Sequence, residues 1–130
     1  ITAAEERIEK LYKGTDASAD IRQSMKLLMW NNSGIYRNEL DLKVAERDIA
    51  KLRAKPLGIT SPREIADAVI TQNMLLVSSL VIDGALLRRE SRGAHTRIDI
   101  KTPWTSETSP FGHTFFSKGR SGIEILEGRL

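Results

Sequence analysis

The sequence predicts a mainly α protein, an up-and-down bundle of three to four helices with a C-terminal β-hairpin, formed as one domain over residues 1–130. Three observations carry that prediction. Apolar residues recur at intervals of three and four through about residues 3–92, the period that lines one face of a helix. Capping and stop signals cut that stretch into four segments. Beyond Gly93 the pattern changes, and about residues 94–127 read as an extended segment followed by a hairpin.

The elements follow in order. Residues 3–13 carry Ile8, Leu11 and Tyr12 at helical spacing, with Glu5, Glu6 and Glu9 opposite, until Gly14-Thr15-Asp16 breaks the pattern. Ser18 or Asp20 is suited to cap a second helix, whose stripe Ile21, Met25, Leu28 and Met29 runs to Trp30. Asn31-Asn32-Ser33-Gly34 stops it, since asparagine and glycine tolerate the left-handed conformation that closes a helix. Asn38 caps a third, in which Leu42, Ala45, Ile49 and Leu52 share one face while Glu46, Arg47, Lys51 and Arg53 face water. Lys55-Pro56-Leu57-Gly58 ends it.

Ser61-Pro62-Arg63-Glu64 is the clearest start signal, with serine at the cap, proline at the first helical position and a glutamate placed to complete a capping box. From there Ile65, Val69, Ile70, Leu76, Val77, Leu80, Val81 and Leu87 run almost unbroken to Arg92. Roughly thirty residues at ~1.5 Å each make a helix of about 45 Å. Its wide apolar arc predicts the central helix, touched on more than one side. Residues 102–110 read as a loop rich in turn formers, and the runs 113–117 and 123–126 flank a glycine-bearing turn at 118–122.

Composition excludes several classes. A net charge of +3 and an aromatic content of 5% give neither a strong electrostatic footprint nor a stacking platform, so nucleic acid is not an expected partner. The absence of cysteine excludes disulfides, thiolate catalysis and cysteine-held clusters within this chain. The most apolar stretch, residues 74–82, is bounded by Gln72, Asn73 and Asp83, short of the ~20 residues of a membrane span, so no direct membrane insertion is expected.

Chemistry-bearing patterns are sparse. His95 and His113 stand apart with no HxxxH or HExxH spacing, which argues against a metal site. No GxSxG or SxxK anchors a nucleophile, and no GxGxxG or P-loop cradles a phosphate. The residues therefore give no catalytic, cofactor-binding or metal-ligating candidate.

What stands out is the polar cassette Glu90-Ser91-Arg92-Gly93-Ala94-His95-Thr96-Arg97-Ile98-Asp99 at the end of the long apolar run. One reading is local: Arg88, Arg89 and Arg92 lie in the last turn, where cations meet the negative end of the helix dipole, Gly93 ends the helix, and Glu90 pairs nearby. That reading leaves His95, Arg97 and Asp99 unexplained. In an extended strand their alternation puts all three on one side, a polar row that must meet solvent, a carboxylate or a neighbouring domain. Arginine suits bidentate recognition of carboxylate or phosphate, so the sharper reading is an interface.

The pattern ESRGAHxRxD at residues 90–99 resembles a segment in the C-terminal helical domain of the flavoprotein subunits of succinate dehydrogenase and fumarate reductase, with the related L-aspartate oxidases carrying a similar ESRGLH. Two further pieces match in order. Residues 29–37, Met-Trp-Asn-Asn-Ser-Gly-Ile-Tyr-Arg, resemble the family's M-x(4)-G-I/V-x-R segment, and His113-Thr114 begins a strand similar to the family's HT-containing strand. After the cassette this chain continues Ile100-Lys101-Thr102-Pro103-Trp104, without the two aspartates of the family's RDDxxF/W segment.

The resemblance implies that the chain is the C-terminal part of a larger flavoprotein, cytoplasmic or peripheral at the cytoplasmic membrane through partner subunits. It implies FAD in the full-length parent and none bound by this fragment, which alone is inactive. The expected activity is interconversion of succinate and fumarate, with FAD-dependent oxidation of L-aspartate to iminoaspartate as the alternative. The expected partners are the flavin-binding and capping domains of the same polypeptide, with an iron–sulfur subunit if the parent is a dehydrogenase or reductase. Arg92, His95, Arg97 and Asp99 are the candidate interdomain contacts. A freestanding helical interaction module is the reading from a different class.

Overall fold

The computed structural model describes residues 1–101, 113–119 and 122–128. Its helices are α1 (Ala3–Lys13), α2 (Ser18–Asn32), α3 (Glu39–Ala54) and α4 (Ile65–Leu87), the last entered through a 3-10 turn at Pro62–Glu64. Two-residue strands β1 (Asp16–Ala17), β2 (Tyr36–Arg37), β3 (Leu57–Gly58) and β4 (Thr96–Arg97) lie in the connections and beyond α4. The antiparallel hairpin β5 (His113–Gly119) and β6 (Gly122–Gly128) completes the predicted architecture. The predicted loop at 102–110 and the tip of the hairpin turn lie outside the described residues.

Local chemistry sets most helix ends. Thr2 and Glu5 form a reciprocal capping box at α1, the Glu5 amide donating to Thr2 Oγ1 at 3.2 Å and the Thr2 amide to Glu5 Oε2 at 2.7 Å. Asn38 caps α3 as expected, its Oδ1 accepting from the Asp41 amide at 2.8 Å. Two expected caps are not made. Ala17 occupies the cap position of α2, so Ser18 is already helical. At α4 the Ser61 hydroxyl makes no capping bond; the tight 3-10 winding shifts the reach of Glu64 back one residue, and Oε2 accepts from the Thr60 amide at 2.6 Å.

The connections pair in parallel, β1 with β3 and β2 with β4. Gly14 and Gly58 are therefore more than helix breakers. A Cβ on Gly14 would stand 2.1 Å from the Leu57 carbonyl oxygen, and one on Gly58 2.3 Å from that of Gly14, so two backbones cross where no side chain fits.

Helix α4 is central, packing against α1, α2 and α3 around a core that includes Leu11, Ile21, Met25, Ala45, Ile49, Leu75 and Ile82. Its faces, however, differ from the sequence expectation. The buried side is largely small, with Ala68, Thr71, Ser78, Ser79 and Ala85 letting neighbours approach, while Ile70, Val77 and Val81 remain 53%, 58% and 40% exposed. By length and composition alone Pro62–Leu87 could cross a membrane, its mean hydropathy reaching 1.7. In the structure it packs against α1, α2 and α3 as the central helix of the bundle, with Gln72, Asn73 and Asp83 along its length.

The C-terminus of α4 also corrects the sequence reading. The helix stops at Leu87, not Arg92, because Arg88 turns to extended backbone at φ −81°, ψ 98°. Its 23 residues span about 35 Å at ~1.5 Å each. Gly93, expected to end the helix, instead occupies a tight turn with φ 57°, where the Arg92 amide donates to the His95 carbonyl at 2.8 Å and the His95 amide to that of Arg92 at 2.9 Å. A hairpin turn of two central residues demands that backbone, and glycine supplies it.

Candidate functional site

The turn at Gly93 brings the chain back along the end of α4 and into register with β2, Tyr36 opposite Thr96 and Arg37 opposite Arg97. The Ser91 hydroxyl steadies the return by accepting from the Arg97 amide at 2.9 Å. Arg97 is thereby carried inward, and its side chain is wholly buried.

Its guanidinium joins two helix ends. Nε and Nη2 grip Asp99 Oδ1 and Oδ2 at 2.9 and 2.8 Å, a bidentate pair. Nη1 donates to the carbonyl oxygens of Ala85 and Arg88 at 3.2 and 3.3 Å, groups that the end of α4 leaves without intrahelical donors. Asp99 Oδ2 in turn accepts from the Glu39 amide at 2.9 Å, the first helical amide of α3. A cation thus sits at the negative end of one helix dipole and an anion at the positive end of the next, each where it stabilises. The Arg97 fork, followed by the Glu39 amide, holds the Asp99 carboxyl well below the usual carboxylate range. The same hydrogen bonds raise the Arg97 guanidinium.

His95 completes the cluster from the other side. Its Nε2 lies 2.9 Å from the Arg88 carbonyl oxygen and its Nδ1 3.1 Å from Arg37 Nη1. A carbonyl only accepts and a guanidinium only donates, so the ring is the neutral tautomer with its proton on Nε2. Burial, with the nearby arginines adding to it, lowers the histidine's pKa and favours that neutral form. Arg37 Nε donates to the Gly34 carbonyl at 2.8 Å. Around these lie the Arg88–Glu90 pair at 2.9 Å, with Glu90 buried, and the exposed Arg89–Glu39 pair at 3.3 Å.

Of the four predicted site residues the structure brings Arg97 and Asp99 into direct contact and ties His95 to them through the shared Arg88 carbonyl. Arg92 lies apart: its backbone closes the turn, and its half-exposed side chain has no partner among the described residues. The expected cations of the last turn, Arg88, Arg89 and Arg92, do not cap α4, because the helix ends before them; Arg97 does so from the returning strand. Sequence reading passed over Arg37 and Glu39 as participants. Arg37 did carry a signal, as the last residue of the quoted M-x(4)-G-I-x-R pattern, whereas nothing local marks Glu39.

An open cleft of about 310 Å³ adjoins the cluster. Val77, Leu80 and Val81 of α4 and the Phe116 ring of the hairpin form its apolar wall, with Arg37 and His95 at its polar end. This is the small end of the roughly 300–1,000 Å³ of ligand pockets. Among the described residues no three His, Asp or Glu side chains gather where a metal could bind.

The model of the family described as fumarate reductase flavoprotein C-term matches residues 22–125. The fumarate reductase flavoprotein subunit of Helicobacter pylori strain J99 is 36% identical over 94 residues, covering 67% of this chain and 13% of its own length. The chloroplastic L-aspartate oxidase of Arabidopsis thaliana is 33% identical over 95 residues, 68% of this chain and 14% of its own. Among solved structures, the FrdA chain of E. coli quinol fumarate reductase superposes with a TM-score of 0.77 at 28% identity, over 95% of this chain and 23% of that one. The chain thus spans less than a quarter of the length of these relatives. The match encloses both halves of the helix-end cluster, Arg37 to Glu39 and Glu90 to Asp99, and the chain belongs to the fumarate reductase flavoprotein C-terminal family.

Proposed function

We propose that this chain is the C-terminal helical domain of an FAD-dependent oxidoreductase that interconverts succinate and fumarate, and that its role there is to support the flavin-bearing and capping domains of the same polypeptide. The observation that carries the supporting role is how the cassette spends its polar groups. A group that binds substrate or moves a proton must be free to meet it. Arg97, Asp99 and His95 are instead committed to the end of α4, the start of α3 and Arg37. They act as positioning residues, and Arg92, turned outward at Gly93, is the member of the quartet placed to touch another domain.

FAD bound by the parent supplies the hydride chemistry, and this chain holds firm the framework on which the flavin-bearing part rests. An iron–sulfur partner subunit and a cytoplasmic, membrane-peripheral location follow if the parent is a dehydrogenase or reductase. The second reading, L-aspartate oxidation, is favoured by the Arabidopsis relative.

Purification of the full-length protein tests the proposal. The expected result is flavin absorbance with turnover of succinate and fumarate. Oxidation of L-aspartate without that turnover assigns the second reading, and a colourless protein refutes both, leaving a freestanding interaction module. Residues 1–130 produced alone are expected to fold as a helical, inactive protein without FAD; stoichiometric flavin on that fragment overturns the supporting role.

A further inference from the structure

Arg37 is a half-buried cation whose partners are neutral. Of the five N–H donors of its guanidinium, Nε is taken by the Gly34 carbonyl and one Nη1 hydrogen by the neutral His95 ring. No carboxylate pairs with it among the described residues, and loss of water, with no opposing charge, lowers its pKa. The two bonds also fix the plane of the fork, and Arg37 lines the cleft together with Val77 and Val81. Removing a cation from water without a counter-ion is costly, which makes this end of the cleft complementary to an anion. The adjoining row of Ile70, Val77 and Val81, exposed on the most apolar helix of the chain, extends the same face as an uncovered hydrophobic surface.

We propose that Arg37 is the anchor by which this domain docks: it receives an Asp or Glu carboxylate from the flavin-bearing part of the same polypeptide, whose apolar surface covers Val77 and Val81. This rests on the supporting role proposed above and adds to Arg92 a second residue, outside the cassette, through which it acts. Arginine's planar fork matches a carboxylate bidentately, and the apolar wall excludes the water that would weaken the pair. The occupant is assigned to the same polypeptide because the relatives extend far beyond the aligned region, which covers only 13% of the Helicobacter subunit and 14% of the Arabidopsis oxidase.

The test uses the full-length protein. Arg37→Lys places a primary amine at this position, and a water-soluble carbodiimide couples it to a carboxylate in contact. Peptide mass spectrometry is expected to find residue 37 joined to an Asp or Glu outside residues 1–130. Coupling only within residues 1–130, coupling to a separate subunit, or coupling abolished by free succinate overturns the proposal. The unsubstituted protein gives a second readout that needs no variant: phenylglyoxal should modify Arg37 at least roughly tenfold more slowly than the exposed Arg63, as one charge-assisted pair implies. Equal rates overturn it. Flavin absorbance on the same sample separates the two ideas, since colourless protein refutes the functional reading, while yellow protein with no coupling and a reactive Arg37 refutes the docking contact alone.

Discussion

Arg37 and Arg97 lie directly opposite each other in one parallel strand pair, yet their surroundings divide them. Arg97 is fully buried and meets a carboxylate through both arms of its fork. Arg37 is half-buried and, among the described residues, its side chain meets only a carbonyl and an imidazole nitrogen. The difference separates a residue that holds this domain together from one whose bonding is unfinished within it. Position in the register does not set the role of an arginine here; what lies beyond its guanidinium does.

The comparison is broken most directly at Arg97. Arg97→Met strips the Asp99 carboxylate of its bidentate cation, leaving it the Glu39 amide alone, and takes the side-chain donor from the Ala85 carbonyl, so denaturant unfolding should register a loss of about 3–5 kcal/mol. Arg97→Lys should recover only part of this, because a lysine cannot grip both oxygens of Asp99 and still reach α4. Arg37→Met should cost much less within this domain, about 1 kcal/mol, the worth of ordinary hydrogen bonds. Equal losses at the two positions would remove the distinction.

Asp99→Asn sharpens the same contrast from the acidic side. It keeps the shape but discards the charge shared between Arg97 and the start of α3, for an expected loss of about 1–2 kcal/mol at neutral pH. Because the carboxyl is lowered in the folded state, its contribution is complete above the unfolded value of about 3.9 and is lost as pH falls toward the folded one. The variant should therefore lose less stability than the parent in strong acid.

His95 gives a smaller effect at milder pH. Its pKa is also lowered on folding, so its contribution is complete above the unfolded value of about 6.5 and fades as pH drops below it. Protonating Nδ1 would set an N–H against the Arg37 guanidinium. A stability profile measured from pH 7 to 5 should fall for the parent and flatten for His95→Gln, with the variant about 1 kcal/mol less stable at pH 7. Smallest of all, Val77→Ser should change the unfolding free energy of residues 1–130 by no more than about 0.5 kcal/mol, since that side chain is 58% exposed there.

What the sequence made legible follows the range of each interaction. The start of α3 could be read because Asn38 and Asp41 are three residues apart, and the core face of α3 because Leu42, Ala45 and Ile49 repeat along one helix. The end of α4 could not. It is determined by Arg97, ten residues beyond Leu87, and by a strand pairing with β2 from the far side of α3. With only a glycine and a polar run in view, Gly93 was the natural stop. The alternation of His95, Arg97 and Asp99 marks a polar row that must meet solvent, a carboxylate or a neighbouring domain. That Asp99 itself would be the carboxylate, bonded onward to Glu39 sixty residues away, has no local signature. The small buried face of α4 was equally hidden, because hydrophobicity ranks Val77 above Ser78 while the packing prefers the serine.

The contact between Gly14 and Gly58 carries a consequence for how the chain can be altered. Connections in a helical protein are ordinarily where insertions are absorbed at little cost. Here two of them are stitched backbone to backbone, with the Thr15 and Asp16 amides both donating to the Pro56 carbonyl at 2.8 and 2.9 Å. Lengthening either connection would pull apart the other, although 43 residues separate them: Asp16 must find Leu57 and Ala17 must find Gly58 in fixed register. The two connections therefore tolerate engineering only as one unit, and the first helical pair cannot reach its final geometry until the chain past α3 has arrived.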